Sequence, residues 1–143
     1  MRLNKEDTLS LLFANQMLTV IASYAKMLES DISGPQYFIL RALAGEERLT
    51  SSQLAQAMNV TLSAVTNLSN KLVGRGLVER VASQTDRRQV YLQITEQGRA
   101  FEDRMLERYK ELTQGLWDDF TETEIELLIA SYRKMIDRLQ ARI

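Results

Sequence analysis

The 143-residue chain contains no cysteine and no histidine, and it has a single proline. Without cysteine the chain can form no disulfide and no thiolate metal site, and without histidine it lacks the commonest general base and transition-metal ligand. These absences remove the usual nucleophile–base pairs, although carboxylates, lysine and tyrosine remain for catalysis. The composition therefore disfavours an enzyme and predicts no metal or cofactor.

Long apolar segments are also absent. No apolar run approaches the ~20 residues that span a bilayer. The N-terminus, MRLNKEDTLSLLF, lacks the long apolar core and the small-residue cleavage site of a secretory signal. With 45% apolar and 26% charged residues, the composition is typical of an ordinary globular protein. We therefore expect a cytoplasmic protein that does not bind membranes.

Charge is unevenly distributed, although the net charge of the chain is only −1. Residues 61–92 carry five basic and two acidic side chains, whereas residues 1–60 and 93–143 have net charges of −1 and −3. A positive middle segment between acidic flanks is typical of a module that binds a polyanion. Random clustering explains the same pattern equally well, so the charge distribution alone does not decide.

Apolar spacing predicts four helices before the middle of the chain. The first, about residues 7–29, is apolar on more than one stripe, so it must bury more than one side, and a partner subunit is the natural cover. Ser33 and Pro35 begin a second helix that ends near Gly45. Residues 50–53 form a capping box for a short third helix, and Thr61 caps a fourth that ends near Gly74.

The second half of the chain predicts two strands followed by two helices. Residues 77–81 and 89–94 have the composition and alternation of short strands, and the polar residues 83–88 join them as a hairpin loop. Thr95 begins a long helix whose apolar row runs from Phe101 to Leu116, and a second capping box at residues 121–124 opens the last helix.

The predicted fourth helix turns a small, polar face outward. If Val65, Leu68 and Leu72 face inward, the opposite face carries Ser63, Ala64, Thr66, Asn67, Asn70 and Lys71. Thr66 and Asn67 can hydrogen-bond base edges, Ala64 can touch a thymine methyl, and Lys71 can neutralise a phosphate. The helix N-terminus at Thr61 adds free N–H groups for a phosphate. A merely solvated face has the same composition, so this helix alone does not establish DNA binding.

The preceding helix strengthens the nucleic-acid hypothesis. Two short helices joined by a tight turn around Asn59 form a helix-turn-helix unit. The first of them would cross the DNA backbone, where Ser51, Ser52 and Gln53 offer hydrogen-bond donors to phosphates. Arg75, which follows the second, joins the candidate DNA-binding residues.

Two arginines lie at the tip of the predicted hairpin loop. Arg87 and Arg88 follow Asp86, whose carboxylate can hold a guanidinium in a fixed direction through a charge-assisted hydrogen bond. An oriented arginine on a strand-bounded loop is suited to a narrow, electronegative minor groove. Most surface arginines are simply solvated, but the adjacent aspartate favours a functional role here.

Five segments of the chain together carry a family resemblance. They are QYFIL at 36–40, SQLA at 52–55, SAVT at 63–66, LVGRGLV at 72–78 and DRRQVYLQIT at 86–95. The last fits the pattern D-x-R-x-x-x-L, and ITEQG at 94–98 is similar to L-T-x-x-G. Residues 36–95 thus resemble the winged helix-turn-helix of the MarR family of bacterial transcriptional regulators, and the flanking helices resemble its dimerisation arms.

The resemblance implies a mainly α-helical fold with a small β-hairpin wing. It implies an N-terminal dimerisation helix at 7–29, a winged helix-turn-helix domain at 33–95 and C-terminal dimerisation helices at 96–142. It also implies a homodimer on a pseudo-palindromic double-stranded DNA operator, with residues 61–71 in the major groove and Arg88 of the wing in the minor groove. Asn67 stands where many members carry arginine, so the operator sequence cannot be carried over.

The resemblance also implies how DNA binding is regulated. Members that sense oxidants use cysteine and metal-sensing members use histidine-rich sites, and this chain has neither residue. The remaining mode is a small phenolic or anionic effector bound between the dimerisation helices and the DNA-binding lobe. The aromatic residues that could line such a crevice also have the spacing of ordinary core residues; they are Tyr24, Tyr37, Phe38 and Tyr109.

Three hypotheses of function follow. The first is a dimeric DNA-binding regulator, a repressor that blocks polymerase and is released by a ligand. The second is a winged helix that serves protein assembly without sequence-specific DNA readout, because one fold hosts many functions. The third is an enzyme, which the lack of a phosphate loop or a paired-carboxylate motif makes the weakest. Salt sensitivity separates the first two, since phosphate contacts weaken steeply with added salt.

Overall fold

The computed structural model describes residues 2–27 and 32–142, without the side chains of Tyr24, Ala25 and Met27. Its contacts divide the chain into two units, Met1–Ser33 and Gly34–Ile143. The first unit contains helix α1 (Lys5–Met27), and the predicted last residues of that helix, 28 and 29, lie outside the described part. The helix begins before residue 7 because the Asp7 N–H donates to Oδ1 of Asn4 at 2.7 Å, which makes Asn4 a cap.

Helix α1 carries its apolar side chains in the open. The large apolar residues exposed along it are Leu9, Leu11, Leu12, Phe13, Met17, Leu18, Val20 and Ile21. An apolar surface of this size on one helix is unusual for a free monomer. The two-stripe apolar pattern predicted from the sequence is therefore exposed along α1.

The second unit holds five helices and three strands among the described residues. They are α2 (Gly34–Gly45), β1 (Leu49–Thr50), α3 (Ser51–Met58), α4 (Leu62–Gly74), β2 (Val78–Ala82), β3 (Val90–Ile94), α5 (Glu96–Leu112) and α6 (Glu122–Arg142). The predicted mainly α-helical fold with a small hairpin is confirmed. We call β2, β3 and the loop between them the wing.

The sheet has one strand more than predicted. Its antiparallel order is β1-β3-β2, with Leu49 opposite Leu92 and Arg80 opposite Leu92 from the other side. Both predicted strands are present, as β2 and β3, and the third strand, β1, was not predicted because it is only two residues long. Two residues contain no alternation that a sequence pattern could reveal.

The core of the second unit lies between the helices and the inner face of the sheet. The side chains that are almost fully buried are Ile39, Leu40 and Leu43 of α2, Leu54 of α3, Val65 and Leu72 of α4, Val78 of β2, Leu92 of β3 and Met105 of α5. Leu40 and Leu43 of α2 are three residues apart, and Phe101 and Met105 of α5 are four apart, so one face of each of these two helices packs in the core. This packing fixes α4 against the wing.

A tight junction joins the end of α4, the wing and the start of α5. Thr95 is the N-cap of α5, and its hydroxyl both donates to the Gly76 carbonyl at 2.6 Å and accepts from the Gly98 N–H at 3.0 Å. Gly76 has a positive φ of 74°, which glycine adopts without strain. A Cβ on Gly98 would lie 2.1 Å from the carbonyl oxygen of Leu77, so only glycine fits there.

The last two helices differ from the prediction at one end. Helix α5 stops at Leu112, before the predicted Leu116, and Gly115 with a φ of 78° lies in the turns that follow. Helix α6 begins at the predicted capping box, where Thr121 and Glu124 exchange hydrogen bonds of 3.1 and 3.2 Å. Nowhere in the described residues is a helix both long and apolar enough to cross a membrane.

Candidate nucleic-acid interface

Helices α3 and α4 form the predicted helix-turn-helix unit. Asn59 adopts the left-handed conformation (φ 52°, ψ 47°) and turns the chain out of α3. Asparagine tolerates this region better than most residues, so it serves where glycine is often found. Thr61 is the N-cap of α4, since its hydroxyl accepts from the Ala64 N–H at 3.1 Å. A connection of three residues, 59–61, therefore joins the two helices.

One face of α4 is polar and exposed. Val65, Ser69 and Leu72 are buried on the opposite side. The exposed candidates are Ser63, Thr66, Asn67, Asn70 and Lys71. Leu68, predicted to face fully inward, and Ala64, predicted to face outward, are both half-buried along the flank of the helix. The predicted polar face is thus present, without Ala64 as a fully exposed member.

The groups on this face are suited to base edges and phosphates. The Thr66 hydroxyl donates to the Leu62 carbonyl at 3.0 Å, so its oxygen remains an acceptor for a base amino group. Lys71 forms no ion pair with another described residue, which leaves its charge available. The first N–H groups of α4 have no helical acceptor and favour an anion.

The cap of helix α3 uses part of Gln53. Its capping box uses Gln53, whose Oε1 accepts from the Thr50 N–H at 2.8 Å and whose own N–H donates to the Thr50 hydroxyl at 3.1 Å. Only the side-chain amide nitrogen of Gln53 is left to donate to a phosphate. Ser52 is exposed and Ser51 is half-buried at the same turn.

The wing tip is held by short polar side chains. The buried Ser83 hydroxyl accepts from the N–H groups of Thr85 and Asp86 at 3.2 and 3.1 Å. Asp86 Oδ1 accepts from the backbone N–H of Arg88 at 3.0 Å. The predicted partner of Asp86, a guanidinium, is therefore corrected to a backbone N–H, a turn that short aspartate side chains favour. Asp86 orients the loop rather than an arginine side chain.

Arg87 and Arg88 extend from this ordered loop. Both are exposed, and neither guanidinium forms a hydrogen bond or ion pair with another described residue. An exposed guanidinium on a fixed backbone reaches a nearby anion while losing little backbone entropy. Arg75, at the C-cap of α4, lies at the other end of the wing, beside the junction.

Arg80 on β2 is not among the site residues predicted from the sequence. Its Nη2 donates to the Oδ1 of Asn70, so this arginine of the wing contacts the exposed face of α4. One feature of the sequence indicates this position. Val78 and Arg80 are two residues apart on a strand, so their side chains leave the same face of the sheet, the inner one. The same bond occupies Asn70, which the sequence assigned to the DNA.

Of the candidate aromatic residues whose side chains are described, Tyr37 and Tyr109 pack together and Phe38 is not in contact with either ring. Tyr37 is buried and its ring centroid lies 6.0 Å from that of Tyr109, so these two pack between α2 and α5. Burial first, and the neighbouring Tyr109 second, raise the pKa of the Tyr37 hydroxyl from its usual 10.0 to about 12. Phe38 points elsewhere and is 44% exposed. The side chain of Tyr24 lies outside the described residues.

Phe38 lines an apolar cavity of about 690 Å³ beside α4. The other lining residues are Gly34, Pro35, Ala57, Met58, Val60, Ala64, Asn67 and Leu68. Among the described residues no charged side chain lines the cavity, and the one amide belongs to Asn67. Because Asn67 also lies on the polar face of α4, this cavity and that face share a residue.

Known proteins match the chain over most of its length. A model of the MarR family matches residues 30–89. The transcriptional repressor MprA of Escherichia coli K12 is 28% identical over 138 residues, covering 94% of this chain and 78% of MprA. The transcriptional regulator BldR from Sulfolobus solfataricus superposes with a TM-score of 0.71 at 27% identity, covering 95% of this chain and 99% of BldR. A mutant of S. aureus MepR bound to an oligodeoxyribonucleotide superposes with a TM-score of 0.67 at 26% identity, covering 91% and 96%.

Proposed function

The chain belongs to the MarR family, and on that premise we propose that it is a dimeric transcriptional repressor that binds an operator in double-stranded DNA. The observation that carries the proposal is the polar, cationic face of α4 beside an ordered wing that ends in Arg87 and Arg88. Two relatives are named as a repressor and as a DNA complex, which favours DNA binding over protein assembly. Such a regulator would act in the cytoplasm, where bacterial DNA lies.

Each part of the helix-turn-helix and wing has its own role in this proposal. Helix α4 enters the major groove, where Thr66 and Asn67 face base edges and Lys71 faces a phosphate. The first turn of α3 contacts the phosphate backbone of the DNA through Ser51, Ser52 and the side-chain amide nitrogen of Gln53. The wing tip enters the adjacent minor groove with Arg88.

A second copy of the chain covers the apolar surfaces. Among its described side chains, helix α1 exposes eight large apolar ones, and α6 has no buried residue in a single chain. An apolar groove of about 460 Å³ runs along α6, lined by Trp117, Ile125, Leu128, Ile129, Tyr132, Arg133 and Ile136. Two-fold pairing through 7–29 and 96–142 buries these surfaces and presents two α4 helices, which suits a pseudo-palindromic operator.

A small ligand in the cavity beside Phe38 releases the protein from DNA. The volume of about 690 Å³ is ample for an aromatic molecule. The uncharged lining favours a neutral phenolic effector over an anionic one, with Asn67 as the hydrogen-bonding partner of the hydroxyl. A ligand that holds the Asn67 amide removes it from the face that contacts DNA.

Selection of bound duplexes from a random pool tests the proposal. We expect recovery of a sequence with two inverted half-sites about 10 base pairs apart, centre to centre. Its affinity for the protein should fall steeply between about 50 and 200 mM salt, because phosphate contacts release counterions.

Two results would contradict the DNA-binding proposal. The first is recovery of no enriched sequence, together with no retention of any duplex at about 50 mM salt. The second is binding whose strength does not change with salt. Either result favours the protein-assembly hypothesis.

A further inference from the structure

Arg80 occupies an unusual place on the wing. On β2 it alternates with Glu79 and shares its side of the strand with Val78, which is buried against the core. Its partner across the ladder is Leu92, also buried. Arg80 nevertheless remains exposed, because its long side chain extends past the edge of the core toward α4.

The contact with Asn70 fixes the direction of Arg80 but not its charge. The acceptor is a neutral amide oxygen, so the guanidinium keeps its full positive charge and most of its five N–H donors. In contrast, Arg41 is neutralised by Glu102 at 2.9 Å. The neighbouring Glu79 lies on the other side of β2, where its carboxylate accepts from the Gln93 amide. Arg80 forms no ion pair with another described residue.

The pair of Arg80 and Asn70 lies between the two elements proposed to contact DNA, helix α4 and the wing tip. Asn70 is seven residues from Ser63 and three from Asn67, so it lies on the exposed face of α4, about one turn beyond Asn67. Arg80 lies on the strand that leads from α4 to the wing tip. Because a sugar–phosphate backbone separates the major groove from the minor groove, a segment that links elements in both grooves must cross that backbone.

We infer that Arg80 binds a backbone phosphate at this crossing and that Asn70 is its positioning residue rather than a reader of bases. The inference rests on the proposed DNA-binding function. A guanidinium held by an amide presents two parallel N–H groups to a phosphate without an intervening acid. It follows that Asn70 contributes to affinity for every sequence and carries no sequence preference of its own.

The experiment measures Kd against salt for the duplex selected from a random pool and for a scrambled duplex of equal length. Arg80→Gln should weaken binding to both duplexes by roughly tenfold and lower the slope of log K against log salt by about 2 per dimer, since two phosphate contacts are lost. Asn70→Ala should weaken binding to the selected and the scrambled duplex by equal factors, so the sequence preference should not change. In the double variant the two losses should not add.

Two further variants control for fold and charge. Arg99→Gln removes another exposed arginine, from the first turn of α5, and should leave both Kd and slope unchanged. Arg80→Lys keeps the charge, so it should retain the salt slope while losing the dependence on Asn70. Thermal unfolding of each variant should match the wild type, because both Arg80 and Asn70 are exposed.

Failure of the inference is distinct from failure of the proposed function. If the wild type binds the selected duplex with a steep salt slope and Arg80→Gln leaves that slope unchanged, Arg80 does not contact a phosphate. If Asn70→Ala relaxes sequence preference at one base pair, Asn70 reads a base and the positioning role is wrong. If the wild type binds no duplex, the proposed function itself is wrong.

Discussion

Arg88 depends on its neighbours for direction, and those neighbours act through the backbone. Ser83 and Asp86 accept three loop N–H groups between them, which holds the chain around residues 85–88. The side chain of Arg88 itself is exposed. The ordered loop therefore lowers the entropy that is lost when this arginine enters a groove.

Replacement of Arg88 tests the minor-groove contact. Arg88→Ala should weaken binding to the selected duplex by about 1–3 kcal/mol, since it removes a charge-assisted contact. Arg87→Ala, its matched neighbour, should have a smaller effect. Fluorescence anisotropy across a salt series measures both, and unchanged thermal unfolding shows that the fold is intact. Binding of Arg88→Ala that equals the wild type at every salt concentration would exclude the contact.

Residue types and spacing located the candidate DNA-binding positions, but they could not assign hydrogen-bond partners. Asp86 was expected to hold a guanidinium and instead accepts a backbone N–H. Asn70 is among the predicted DNA-binding residues, and its amide oxygen accepts from Arg80, which lies on another element. Each hydrogen-bond partner depends on loop geometry or on packing between elements, and the local spacing of residues in the sequence determines neither of these.

Gly98 tests the junction between the wing and α5. Gly98→Ala places a Cβ 2.1 Å from the Leu77 carbonyl oxygen, which already accepts from the Thr95 N–H at 3.1 Å. Because that oxygen cannot move without breaking its hydrogen bond with the Thr95 N–H, we expect the free energy of unfolding to fall by about 1–3 kcal/mol or more. Urea denaturation measures the change. Gly45→Ala, where a Cβ has open space, is the control and should be nearly neutral.

At the scale of elements, α4 depends on Thr61, the residue that caps its N-terminus. The Thr61 hydroxyl accepts the Ala64 N–H and caps the helix that carries the proposed base contacts. Thr61→Ala should lower the free energy of unfolding by about 0.5–2 kcal/mol, whereas Thr61→Ser should retain the cap. Urea denaturation of the pair gives the difference. Equal stability of the alanine variant and the wild type would show that the cap contributes nothing.

Long elements were predictable and short ones were not. The helices have several turns of apolar spacing and explicit caps at Thr61, Thr95 and Thr121, so their starts follow from local chemistry. Strand β1 has two residues and exists only because β3 pairs with it. The end of α5 was misplaced because apolar residues continue at helical spacing into the turns around Gly115.

At the scale of the whole molecule, folding and dimerisation should be coupled. Helix α6 buries no residue within one chain, and Ile129 and Ile136, seven apart on one face, are each about half exposed. The wild type should sediment as a dimer at micromolar concentration, and its unfolding midpoint should rise with protein concentration.

Charge on the apolar face of α6 tests this coupling. The double variant Ile129→Glu, Ile136→Glu should sediment as a monomer, because a buried unpaired carboxylate is strongly unfavourable. Lys134→Gln, on the opposite face of α6, should remain dimeric. A wild-type monomer, or an unfolding midpoint that does not depend on concentration, would exclude the dimer.

The two consecutive arginines at the wing tip also offer a way to measure how much of the protein is bound to DNA. Trypsin cleaves after arginine, and an exposed loop tip is where a folded domain is most readily cut. The peptide bonds after Arg87 and Arg88 meet both conditions, whereas most other arginines of the described chain lie in helices or strands. Limited proteolysis should therefore cut free protein first at the wing, and saturating operator should slow that cut selectively. The half-life of this bond then gives the fraction of wings bound, without a label on protein or DNA.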